Sequence, residues 1–163
     1  MEKEEQIKQI EAFLEKVVIQ ELGKLQKAEL SYMQFVLMGQ AIEVLGSFWD
    51  QKPMKAKDQS SKRFNNGVKY LFGGKYRLLN DRNYLYDKLR NQMTHTFIAG
   101  NELLLLPYKI EGQPYRHLEY YDGKLVLIGS VFYDDICVAC SRLVNNLKEG
   151  KIKPKQIAFN DDK

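Results

Sequence analysis

The first fifty positions repeat apolar residues at intervals of three and four, a period that leaves the chain little choice but to begin as a helical hairpin. Ile7, Ile10, Leu14, Val17 and Leu22 form one stripe with Glu and Lys between them. That is the pattern of an amphipathic helix of about 20 residues, and Gly23 is a fitting end. Tyr32, Met33, Val36, Leu37, Ala41, Val44, Leu45 and Phe48 form the next stripe, where Gly39, Ala41 and Gly46 allow a neighbouring helix to come close. Two such helices joined by a short link pack antiparallel, each burying the other's apolar face.

Beyond Pro53 and the polar run Lys55 to Ser61, which read as a loop, Ser60 or Ser61 is placed to cap a third helix. It runs through Phe64, Val68, Tyr70 and Leu71 and is stopped by Gly73-Gly74. Asn80 or Asp81 is a suitable N-cap for a fourth helix, with a core stripe of Leu85, Leu89, Met93 and Phe97 and an end at Gly100. The apolar run Leu103 to Leu106, and Tyr115 to Ile128 split by the hairpin dipeptide Asp122-Gly123, predict a small antiparallel β-hairpin at about 103–128. In that register His117 shares a solvent face with Glu119 and Tyr121. A last helix runs from about Ser130 to Lys148, opened by Asp134 and Asp135 at the positive end of its dipole. Residues 151–163 read as a loosely held tail. The expected fold is mainly α: one antiparallel helical bundle over residues 1–150 with a β-hairpin inserted before the final helix.

Composition narrows the classes. With 44% hydrophobic and 28% charged residues in 163, the chain has the make-up of a globular domain rather than a disordered or fibrous one. The longest apolar run, Leu103 to Pro107, is far below the roughly 20 residues of a membrane span, and the charged N-terminus does not resemble a leader. A soluble cytoplasmic protein is expected. Cys137 and Cys140 fall with Ile136, Leu143 and Leu147 on one helix face and read as core, while His95 and His117 are the only histidines. Neither a metal site nor a cofactor is expected.

The net charge of +4 is mild, but residues 51–82 hold nine basic and two acidic residues, a local +7. Two readings stand for this segment. It is a solvated stretch that keeps the protein soluble, or an electrostatic footprint for RNA phosphates made by Lys62, Arg63, Lys69, Lys75, Arg77 and Arg82 just ahead of the motif helix. The aromatics among its charges and just beyond, Tyr70, Phe72, Tyr76, Tyr84 and Tyr86, either stack on bases or fill the bundle core.

The string Arg90-Asn91-Gln92-Met93-Thr94-His95 lies within the fourth helix. At about 100° per residue, Asn91 and His95 fall nearly opposite the core stripe, in line with Tyr84 and Lys88, and Arg90 falls on the border. An imidazole that titrates near neutrality, a guanidinium and an amide are the ingredients of phosphodiester cleavage. The histidine moves the proton, the arginine offsets charge on the phosphate, and Asn91 orients the imidazole. On a regular helix Arg90 and His95 diverge by about 140°, so they converge only if the helix is distorted or if two such helices face each other across a twofold axis. The alternative is structural: Arg90 pairs with a carboxylate such as Asp87 or Glu119, and His95 caps the helix C-terminus.

This string resembles the Arg-x-x-x-x-His motif of the HEPN superfamily, and the predicted layout is similar to the helical bundle of small bacterial HEPN-like proteins. The resemblance implies a metal-independent endoribonuclease that acts as a homodimer and leaves a 2′,3′-cyclic phosphate, in defence or toxin-antitoxin systems with an antitoxin-like partner. It also admits non-catalytic members that bind nucleotides or serve as interaction modules. On that resemblance Arg90 and His95 are catalytic and Asn91 assists; the charge pattern and the polar stripe, not the resemblance, add Lys62, Arg63, Lys69, Lys88 and Tyr84 as nucleic-acid-binding candidates.

Overall fold

In the computed structural model, which describes residues 2–159, the two opening stripes fold into helices α1 (residues 3–27) and α2 (Ser31–Gly46). Three further helices follow: α3 over residues 60–72, α4 over Gly74–Leu79 and the motif helix α5 over residues 84–96. Strands β1 (Leu103–Leu106), β2 (Tyr120–Tyr121) and β3 (Lys124–Ile128) then lead into the long α6, Gly129–Lys148. The expected bundle with a β insertion is present in this coarse form. Among the described residues no helix is long and apolar enough to cross a membrane.

Helix α1 contains a π-helical turn at Leu14–Ile19. Such a turn inserts one residue into the ladder, so the apolar stripe that enters as Ile10 and Leu14 leaves as Val18 and Leu22, and Val17 is turned outward. In α2 the buried face is Phe35, Met38, Ile42 and Leu45, while Tyr32, Met33 and Leu37, expected inside, stay exposed. Backbones touch where α2 crosses α3. A Cβ on Gly46 would lie 1.7 Å from the Arg63 carbonyl oxygen, and one on Gly67 would lie 2.4 Å from that of Ile42. Only glycine at both positions permits this crossing.

The β element departs from the expected hairpin. Tyr120 and Tyr121 do pair antiparallel with β3 around the Asp122-Gly123 turn, but β1 joins the other edge of β3 in parallel register, from Leu103 opposite Leu125 to Leu106 opposite Ile128. The reason lies in composition: β3 is the central strand and is buried on both faces from Leu125 to Ile128, and continuous apolar runs suit a parallel pair better than a half-solvated hairpin.

Residues 151–159 are not loosely held. Lys155 is buried, and its Nζ donates to the carbonyls of Ser47 and Lys52 and to Asp50 Oδ1 at 2.5, 2.8 and 3.0 Å. Ile157 is buried as well, and the Phe159 ring meets Phe13 edge-on. Residues 160–163 of the expected tail lie outside the described residues. The two cysteines are free thiols; Cys140 is buried, as expected, while Cys137 is half-buried.

Candidate functional site

Leu85, Leu89 and Met93 are fully buried, so the motif helix presents to the core the face its period predicts. Phe97 does not join them, because it takes a left-handed φ of 54° that ends the helix, and it is 59% exposed. Thr96 Oγ1 and Gln92 close this end by hydrogen bonds to the Gln92 and Ile98 carbonyls at 2.8 and 3.1 Å. The capping role considered for His95 is thus filled by its neighbours. His95 is exposed and has no hydrogen bond or ion pair among the described residues.

The helix is distorted where the motif begins, being π-helical over Tyr86–Gln92. The wider turn advances fewer degrees per residue and sets Arg90 against α2 rather than on a solvent border. Gly39 of α2 allows the approach: a Cβ there would lie 3.4 Å from the Arg90 Cα. One turn further along α2, Glu43 Oε2 accepts a hydrogen bond from Arg90 Nε at 2.5 Å, with both side chains less than one-fifth exposed. Arg90 therefore has a carboxylate partner, though neither Asp87 nor Glu119. Glu119 instead holds Lys75 at 2.9 Å. The pairing uses only Nε, and the two Nη groups have no partner among the described residues. Glu43 is the partner of Arg90 that sequence reasoning missed. Its signal was its isolation as the sole acidic residue of Ser31–Gly46.

The sheet covers the near end of the polar stripe. Lys88 Nζ lies 3.3 Å from Glu102 Oε1, and burial first, with the neighbouring Tyr120 second, raises the pKa of the half-buried Tyr84. Asn91 is half-buried, and His95 is left at the uncovered end. The structure removes Arg63 from the expected RNA path. It is buried, with Nε and Nη2 on the Asp50 carboxylate at 2.7 and 3.1 Å and Nη1 and Nη2 on the carbonyls of Met54 and Pro53. Burial alone would raise the Asp50 carboxyl, but Arg63 and Lys155 outweigh it and hold its pKa at about 2. Lys62 and Lys69 remain exposed without acidic partners among the described residues.

His117 lies inward, contrary to the solvent face expected for it. Leu118 takes a left-handed φ of 62°, which breaks strand alternation, and the His117 side chain is only 7% exposed. Its Nδ1 accepts the Ile128 N–H at 2.9 Å, so the ring proton sits on Nε2 and points at the Tyr76 hydroxyl at 2.7 Å. The Tyr76 hydroxyl in turn donates to Asp135 Oδ2 at 2.7 Å. Burial, with Lys75 second, pushes the imidazole down to about 4, so its 3.8 Å approach to Asp135 is not an ion pair at neutral pH. Burial raises Tyr76 and Asp135 as well, and the three side chains form a neutral-histidine relay that ties α4 to the sheet and α6.

Comparison with family models, with curated proteins and with solved structures returned no match. Among the described residues no group of three or more His, Cys, Asp or Glu could hold a metal ion.

Proposed function

We propose that this chain is an HEPN-like domain that binds RNA and cleaves it without a metal, acting as a homodimer in a bacterial defence or toxin-antitoxin setting. The observation that carries the reading is the state of the motif pair. His95 is exposed and unpartnered among the described residues, and Arg90 is held by Glu43 through Nε alone, with its two Nη donors unused. A guanidinium fixed on one edge presents its fork to a phosphate at little entropic cost, and an unbound imidazole is able to take the proton of a ribose 2′-hydroxyl. Phe97 and Ile98, two and three residues after His95, are 59% and 62% exposed, an apolar border that supports a second copy of the chain facing this helix. The partner class is then this chain itself, with an antitoxin-like protein as a further partner.

The Arg90–Glu43 pair also favours a second reading, a non-catalytic interaction module, because a neutralised arginine contributes less to an anionic transition state. The two readings separate on the chemistry of the product. Attack by the 2′-hydroxyl leaves a 2′,3′-cyclic phosphate, so cleavage in the presence of EDTA should give that end and should stop when the scissile nucleotide is 2′-deoxy. Equal cleavage of the deoxy substrate, or no cleavage at all, favours the module.

A further inference from the structure

Where the chain turns from α4 into the motif helix, residues 80–83 form a corner packed against α3. Between corner and helix lies a cavity of about 620 Å³, within the range of small-ligand sites. Lys69 of α3, Arg77 of α4 and Arg82 of the corner line it, together with Asp81 and the amides of Asn65 and Asn80. None of the three cations has an acidic partner among the described residues. Lys69 Nζ lies 5.0 Å from the centroid of the Tyr70 ring, and Arg77 and Arg82 make no side-chain hydrogen bond or ion pair.

The corner is a built surface. Asn80 is 5% exposed, its Oδ1 accepts the Tyr86 N–H at 2.9 Å, and its Nδ2 reaches Asn65 Oδ1 at 3.5 Å. Arg82 and Asn83 both take left-handed φ values, 52° and 60°, a conformation that residues other than glycine adopt in succession only when their surroundings impose it. The backbone thus leaves the helical path where Arg82 reaches the cavity.

Three cations and one carboxylate leave a net charge of +2 around this cavity. That complements a phosphomonoester, which carries close to two negative charges at neutral pH, better than the single charge of an internal phosphodiester. Two guanidinium forks supply the planar donors that phosphate oxygens accept, and the amides supply neutral ones. The geometry points to a binding site for a phosphomonoester dianion, carried either by a small phosphorylated molecule or by the terminus of a nucleic-acid strand. The site does not depend on the cleavage chemistry, since Arg90, Asn91 and His95 do not line the cavity.

The test is calorimetric titration of the full chain with adenosine and adenosine 5′-monophosphate, and with one 2′-deoxy decamer, which 2′-hydroxyl attack cannot cut, bearing a 5′-hydroxyl or a 5′-phosphate. At least one pair should show the phosphorylated member bound tenfold or more tightly than its partner. An advantage seen with the mononucleotide identifies the small-molecule source, and one confined to the decamer identifies the strand terminus. Arg77→Ser with Arg82→Ser should remove the advantage, Lys69→Ser should reduce it, and His95→Ala should leave it intact; all four side chains are exposed, so the melting temperature should hold. No advantage in either pair, or an advantage that survives in the double variant, would overturn the assignment.

Discussion

Arg90 of the motif helix donates its Nε proton to Glu43 of α2 at 2.5 Å, a link between positions 47 residues apart that only the close passage of the two helices at Gly39 allows. Because both groups are largely withdrawn from water, removing the carboxylate leaves a cation without its partner. Glu43→Gln keeps the shape and one acceptor, and should cost about 1–2 kcal/mol; Glu43→Ala should cost about 2–4 kcal/mol. Urea denaturation of the three proteins checks this. If Glu43 also positions Arg90 for catalysis, RNA cleavage should fall at least tenfold in Glu43→Ala and recover partly in Glu43→Gln.

The crossing of α2 and α3 makes a sharper prediction. A methyl group at Gly46 would overlap the Arg63 carbonyl, and backbone cannot step aside as a flexible side chain would. Gly46→Ala should therefore destabilise by about 3 kcal/mol or more, above the usual cost of overpacking, although alanine is the better helix former. A thermal melt that shows the variant as stable as the parent would mean the helices do not cross as described.

The His117 relay gives the protein a pH signature. The imidazole titrates near 6.5 when free and near 4 when folded, so above pH 6.5 both states are neutral and the relay's contribution is complete. As pH falls from 6.5 toward 4 the unfolded chain takes up a proton that the folded chain refuses, and stability declines by up to about 3 kcal/mol. Asp50, held at about 2, loses its contribution only below 3.8, so the two windows are separate. Asp135, whose folded pKa is raised, works in the opposite sense, so the slope is best isolated as the difference between parent and His117→Gln. That difference should shrink steadily between pH 6.5 and 4 in guanidinium melts. A constant difference would place a charged histidine in the fold.

Lys155 makes the C-terminal segment part of the domain. Its ammonium joins Asp50 to two carbonyls beside the Arg63 guanidinium, so Lys155→Met should cost about 2–3 kcal/mol. Ending the chain at Gly150 should cost more, because Ile157 and the Phe13–Phe159 contact go with it. Melting temperatures of the two variants, compared with the full chain, check the order.

What could be read in advance was local. The stripe Leu85, Leu89 and Met93 faces inward because helical period alone decides it, and Asp122-Gly123 makes its turn because those residues tolerate positive φ. The errors arose where one residue changes the phase of a pattern. The π turn exchanged Val17 for Val18, the left-handed Phe97 ended the helix early, and the left-handed Leu118 turned His117 inward. Partners distant in sequence were also hidden. Neither Glu43 for Arg90 nor Asp50 for Arg63 and Lys155 follows from spacing, since each depends on which helices come to lie side by side.

The proposed action of His95 on RNA together with Arg90 is tested most directly by the cleavage rate of single-stranded RNA in EDTA by the parent and by His95→Ala. His95 is exposed and makes no hydrogen bond or ion pair among the described residues, so the variant should keep the parent's circular dichroism and melting temperature while losing cleavage by at least a hundredfold, as removal of a general acid or base does. Cleavage by the variant at the parent's rate, or none by either protein, would contradict that action.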